Sequence, residues 1–122
     1  MFRQLFRNVR EVQSNQIGTM TVQELKAQLD AHTSMVLVDV RQPEEFAYDG
    51  HVSGARLLPL PVLAMRMNEL PKDQPIVCIC RSGNRSQVAC EMLQRHGFTN
   101  VTNVVGGMIA WQRAGYPVNR QR

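Results

Sequence analysis

The protein has 122 residues, 43% of them apolar and 20% charged, the balance of a soluble globular chain. A chain of this length buries about two thirds of the surface its unfolded form exposes, so a single domain can hold its core without disulfide or metal staples. The net charge of +4 is divided unevenly: +3 in the first ten residues, +4 after Glu91 and −3 between them.

Basicity gathered at the two ends, with no recognisable binding module, argues against a nucleic-acid partner. The longest apolar stretch, Leu57 to Met65, is broken by Pro59 and Pro61 and falls far short of the roughly 20 residues that a membrane-spanning helix needs. No integral membrane segment is expected. With no secretory core near Met1, the expected location is cytoplasmic, and the three cysteines are expected to be thiols.

Residues 1–15 read as a basic amphipathic extension, with Phe2, Leu5, Phe6 and Val9 at helical spacing among arginines. A surface anchor or transit segment and a helix packed on the domain are both open readings. The domain proper is expected over 16–119, with 120–122 a short basic tail.

Thr21-Val22-Gln23-Glu24 has the form of a capping box, and Val22, Leu25 and Leu29 fall on one face of the helix it opens. Met35 to Val40 is a continuous apolar run closed by Asp39, the pattern of a strand covered on both faces. Pro61 can open a helix carrying Val62, Leu63, Met65, Met67 and Leu70, with Pro71 at its end. Pro75 to Cys80 is a second buried run.

After it, Val88, Ala89, Met92, Leu93 and His96 form a helical stripe ending at Gly97, which leaves Cys90 off the apolar face. Val101 to Val105 supplies a further strand, and Gly106-Gly107 precedes a last helix. Strands alternating with helices predict an α/β fold: a central, mostly parallel sheet with helices on both faces.

The chemistry concentrates in Cys80-Arg81-Ser82-Gly83-Asn84-Arg85-Ser86, between a buried strand and a helix. The cysteine therefore sits at the carboxyl end of a parallel strand, where such sheets bind ligands. A tight loop entering a helix turns several N–H groups toward one point and adds the positive end of the helix dipole, which makes an anion site. The same field lowers a thiol's pKa, and small Ser82 and Gly83 let a ligand approach the backbone. Cys78, two residues earlier, is either a core residue or a second thiol able to resolve an intermediate. No C-x-x-C occurs, so no metal site is expected.

This loop resembles the active loop of the rhodanese sulfurtransferases. The resemblance extends to Asp39-Val40-Arg41, Glu45-Phe46, Gly50-His51-Val52-Ser53-Gly54-Ala55 and Asn103-Val104-Val105-Gly106-Gly107 through Trp111, in family order and spacing over residues 17 to 118. It implies a rhodanese-like fold and a single-domain enzyme that needs no cofactor. Cys80 would be the nucleophile that takes a sulfane sulfur from thiosulfate or a persulfide donor. It would carry the sulfur as a persulfide and pass it to a thiol, to cyanide or to a protein acceptor.

Arg81, Ser82, Gly83, Asn84, Arg85 and Ser86 would hold the donor and the persulfide. Arg81 matches the arginine of thiosulfate-preferring relatives. Arg85 suits paired hydrogen bonds to a sulfonate or, equally, a salt bridge elsewhere. Arg41 is expected to brace the cradle from behind, in a polar set with Asp39 and Glu45, and the His51 segment is largely architectural in the family. Two alternatives stand beside this reading. One is a phosphatase or arsenate reductase on the same scaffold, although that class resembles C-x5-R, one residue longer than the stretch from Cys80 to Arg85. The other is a binding module without catalysis, although such modules commonly lose the cysteine.

Overall fold

Two short runs dictate the architecture, because each is buried on both of its faces. In β2 (Val36–Asp39) and β4 (Ile76–Ile79) successive side chains point to opposite sides of the sheet. Val38, Ile76 and Cys78 join one apolar cluster, and Leu37, Val77 and Ile79 join another. A sheet apolar on both faces must be covered on both faces.

The computed structural model describes residues 16–121. Around the two central strands lie β1 (Gly18–Met20), β3 (Arg56–Leu57) and β5 (Val101–Val104), in the order β1-β5-β4-β2-β3, with every ladder parallel. Helices α1 (Val22–Asp30) and α4 (Gly107–Arg113) cover one face through Val22, Leu25, Met108 and Trp111. The one-turn α2 (Leu63–Arg66) and the longer α3 (Asn84–Arg95) cover the other through Leu63, Ala89, Cys90 and Leu93. The expected α/β class and the layers on both sides are therefore present, and the sheet is wholly parallel.

Local signals hold where they are strongest. Thr21 caps α1 with both halves of its capping box formed: its hydroxyl accepts from the Glu24 amide at 3.1 Å, and the Glu24 carboxylate accepts from the Thr21 amide at 2.8 Å. Two expectations need correction. The segment opened by Pro61 is not one helix: 3₁₀ turns at Leu60–Val62 and Met67–Glu69 flank α2, and Met65 is 78% exposed. The amide of Leu60 is held by the Val40 carbonyl at 3.0 Å, so the start of this segment is tied to the end of β2 instead of running as a free helix.

On α3, Cys90 is buried, whereas Val88 is 43% exposed and His96 lies at the surface. The buried stripe is Ser86, Ala89, Cys90 and Leu93, the i, i+3, i+4, i+7 set counted from Ser86. The amphipathic segment 1–15 lies outside the described residues.

The chain end folds back over the loop after β2. Trp111 donates its indole N–H to the Pro117 carbonyl at 2.9 Å, Asn119 bridges to His51, and the Gln121 amide bonds to the Ala47 carbonyl. His51 stacks on Phe46 with ring centroids 3.7 Å apart, and its Nδ1 lies 2.7 Å from the Phe46 carbonyl, an architectural position.

Beneath this loop, Asp39 and Arg41 form a fully buried ion pair. The Asp39 carboxylate accepts from the Arg41 amide, Nε and Nη2, and Nη2 also donates to the Gly50 carbonyl at 2.9 Å. Breaking a buried pair strands the remaining charge, which costs about 3–5 kcal/mol. Asp39→Ala is therefore expected to lose stability of that order in urea unfolding, with the midpoint falling well below that of the unmutated protein.

Candidate active site

β4, the middle strand, ends just before Cys80 on the carboxyl side of the sheet, and α3 begins four residues after that cysteine. Closing that gap requires a backbone turn that only glycine makes without strain: Gly83, the N-cap of α3, has φ +108° and ψ −7°. The turn folds the following amides back on the sulfur. Gly83 N–H donates to Cys80 Sγ at 3.1 Å and Ser86 N–H at 3.3 Å, and the Ser86 hydroxyl lies 3.2 Å away.

An anion cradle needs its carbonyls turned outward, because each buried carbonyl still requires a donor. Here α4 supplies two. Met108 N–H bonds to the Cys80 carbonyl at 2.9 Å and Ile109 N–H to the Arg81 carbonyl at 3.0 Å. That approach depends on Gly107, at φ +53°: a Cβ there would collide with the Cys80 carbonyl oxygen and stand 2.6 Å from the Arg81 carbonyl.

The Gly83 carbonyl accepts from Asn103 Nδ2 at 3.1 Å, and Asn103 Oδ1 and Cys80 Sγ are alternative acceptors for the one proton of the Ser86 hydroxyl. Asn103, on β5 and 5% exposed, thus links the cradle wall to the residue that faces the sulfur. The sequence places Asn103 in a family pattern but does not show this role; the one signal is an asparagine, a poor strand former, inside the Val101 to Val105 run.

Electrostatics follow from this geometry. Burial alone pushes the Cys80 thiol up, but hydrogen bonds from the Ser86 hydroxyl and from the Ser86, Gly83 and Ser82 amides outweigh it, and the pKa lies below the ordinary thiol value. The residue is only 1% exposed. Its sulfur is therefore the floor of the cradle, to be reached by the tip of a reagent and not by its bulk. Cys78 and Cys90 lie in the core beside it with no exposed surface. The neighbouring Cys90 thiol and burial push Cys78 well above the ordinary value, so it remains protonated.

The remaining expected site residues divide. Arg81, Ser82 and Asn84 stand exposed at the rim, with Gly83 and Ser86 buried beneath. Arg85 takes the salt-bridge alternative: Nη1 and Nη2 grip the two carboxylate oxygens of Glu45 at 2.7 and 2.9 Å. Glu45 thus belongs with Arg85, 40 residues away, and not with Asp39 and Arg41 as expected. Its pKa falls from 4.5 to about 2, chiefly through that hydrogen bond. Arg41 braces Asp39 and the Gly50 carbonyl, that is, the loop next to the cradle and not the cradle itself. Among the described residues no cluster of His, Cys, Asp or Glu could hold a metal ion, and no helix is long and apolar enough to cross a membrane.

Two measurements check these assignments. The rate of Cys80 alkylation by iodoacetamide should rise with pH at a midpoint below that of a free thiol. Ser86→Ala should move that midpoint upward, and Cys78 and Cys90 should react only after unfolding. Glu45 has a depressed pKa, so its contribution to stability is complete above about pH 4.5 and is lost as pH falls toward 2. Acid unfolding should therefore show a loss over that window that Glu45→Gln lacks.

The chain is similar to known proteins over most of its length. A model of the rhodanese-like domain matches residues 21–114. A sulfurtransferase of Allochromatium vinosum is 42% identical over 102 residues, covering 84% of this chain and 94% of that protein. Among solved structures, a rhodanese-like domain protein from Staphylococcus aureus superposes with a TM-score of 0.73 at 34% identity, over 78% of this chain and 91% of that one. A thiosulfate sulfurtransferase from Pseudomonas aeruginosa gives 0.77 at 30% identity, over 86% of this chain and 20% of that longer one. With the cysteine cradle at the carboxyl edge of its parallel sheet, this chain belongs to the rhodanese-like family.

Proposed function

We propose that the protein is a sulfurtransferase that moves a sulfane sulfur from thiosulfate, or from a persulfide donor, to a thiol or cyanide through a persulfide on Cys80. The observation that carries this reading is the pair of main-chain donors on one sulfur, the Gly83 and Ser86 amides, 3.1 and 3.3 Å from Cys80 Sγ. Such donors favour the thiolate, the nucleophilic form, without a separate general base.

In the first half-reaction the thiolate attacks the outer sulfur of thiosulfate. A Cys80 S–S bond forms, the bond from that sulfur to the sulfonate breaks, and sulfite leaves with the electron pair. In the second, a thiolate or cyanide attacks the terminal sulfur and Cys80 leaves as thiolate. The amides need no reorganisation as charge passes between Sγ and the added sulfur, which is the electrostatic economy of a preformed anion site.

Arg81, exposed beside the nucleophile, takes the donor's sulfonate oxygens, with Ser82 and Asn84 at the same rim. The relatives named sulfurtransferase and thiosulfate sulfurtransferase support this class of chemistry. Arg85 weighs against a phosphatase or arsenate reductase. A guanidinium that grips a bound oxyanion must present its fork to the ligand, and both Nη atoms here are engaged by Glu45. The intact cysteine and cradle weigh against a purely binding role.

Thiosulfate exposure is expected to add one sulfur atom to the intact mass, located on Cys80 by peptide mapping, and thiocyanate should form when cyanide follows. Cys80→Ser should abolish both signals, and Cys78→Ala should largely retain them. Equal loss in the two variants would refute the assigned roles. Turnover of an aryl phosphate with no sulfur adduct would favour the rival enzyme.

A further inference from the structure

The Ser86 hydroxyl has one hydrogen and two acceptors in reach: Cys80 Sγ at 3.2 Å and Asn103 Oδ1 at 2.5 Å. Ser86 has no exposed surface and Asn103 is 5% exposed. The contest between sulfur and amide oxygen is therefore settled inside the protein.

The neighbours of Asn103 dictate which way its amide faces. A carboxylate only accepts, so Gln87 turns Nε2 toward Glu91, at 3.4 Å, and Oε1 toward β5. Asn103 Nδ2 then gives its two hydrogens to Gln87 Oε1 at 3.2 Å and to the Gly83 carbonyl at 3.1 Å. Oδ1 is left as a fixed acceptor, and among the described residues the Ser86 hydroxyl is its one donor. The other titratable groups around the sulfur are Cys78, Arg81, Cys90, Glu91 and the pairs Asp39–Arg41 and Glu45–Arg85. Among the described residues none of them hydrogen-bonds to Ser86 Oγ or to Asn103, and Glu91 reaches Asn103 only through Gln87.

Two arrangements follow. While the sulfur is protonated, the thiol donates to Ser86 Oγ and the hydroxyl donates to Asn103 Oδ1, so every group has a partner. When the sulfur ionises, the hydroxyl swings to Sγ and leaves a buried oxygen bare, which carries a free-energy cost. A persulfide moves the charge from Sγ to the outer sulfur, and the hydroxyl can return to Asn103. We infer that Asn103 is a positioning residue for sulfur loading: acting through the Ser86 proton, it disfavours the free Cys80 thiolate relative to the persulfide. The persulfide half of this inference rests on the sulfur-transfer reading above, whereas the proton half concerns Cys80 alone.

Asn103→Leu removes the competing oxygen at similar size. The midpoint of Cys80 alkylation should fall, by about tenfold in the ionisation constant. Loss of the Gly83 tether alone would loosen an amide from the sulfur and raise the midpoint, so the sign separates this role from a merely structural one. In a Ser86→Ala background the same substitution should lower nothing. Carbon spectra of the unmutated chain supply a check that needs no Asn103 variant: the Asn103 ¹³Cγ signal should move as Cys80 ionises and return toward its thiol position in the persulfide. Finally, thiolate and thiosulfate exchange with persulfide and sulfite. At a fixed ratio of the two anions and a pH above both midpoints, the persulfide-to-thiolate ratio in the intact mass should drop by a similar factor in Asn103→Leu. An unchanged or raised midpoint, a fall that persists in Ser86→Ala, or a ¹³Cγ signal blind to the sulfur would overturn the role. A lowered midpoint with an unmoved persulfide ratio would overturn its part in loading. If the unmutated protein takes up no sulfur, the transfer reading falls, and the midpoints still decide which atom holds the proton.

Discussion

Everything at this site depends on how one short loop disposes of its backbone dipoles. Between Cys80 and Ser86 the chain must turn from strand to helix, and each N–H and C=O it buries must find a partner. The amides of Gly83 and Ser86 converge on a single sulfur, and the carbonyls of Cys80, Arg81 and Gly83 are drawn away by Met108, Ile109 and Asn103. Neither half suffices alone, since inward amides with inward carbonyls would cancel. The last helix and the last strand are thus part of the cradle although they contribute no side chain to the sulfur, and the side-chain-free Gly107 is what lets α4 come close enough.

The ionic groups around the cradle perform a second task, which is to hold the neighbouring loop. Arg41 and Asp39, both buried, pin the turn at Gly50 from below, and Arg85 ties the first turn of α3 to Glu45. The two pairs differ in energetic character. The first is desolvated and expensive to break; the second is partly exposed and screened, so it orients more than it stabilises. Together they fix the gap between the loop after β2 and the cradle.

Much of this was legible in the sequence, and the failures have physical causes. The capping box at Thr21, the two buried runs and the cysteine at a strand end are local signals, and each forms as read. Apolar spacing alone gives α3 the wrong phase. The helix is rotated to bring the Ser86 hydroxyl to the sulfur, which buries Cys90 and leaves Val88 at the surface. A polar residue with a fixed duty overrode the hydrophobic count. Glu45 and Arg85 are separated by 40 positions, and spacing alone cannot tell which of several carboxylates an arginine meets. Asn103 was visible only as an oddity in a strand, because its role exists only once β5 lies beside β4.

The most direct test of the account is to follow the backbone amides themselves. In ¹H–¹⁵N spectra recorded across pH, the Ser82, Gly83 and Ser86 amides should shift together at a single midpoint below the ordinary thiol value, and the same three should shift again when Cys80 takes up a sulfur atom. Amides that stay still while the sulfur ionises, or a shared midpoint at or above the ordinary thiol value, would contradict it.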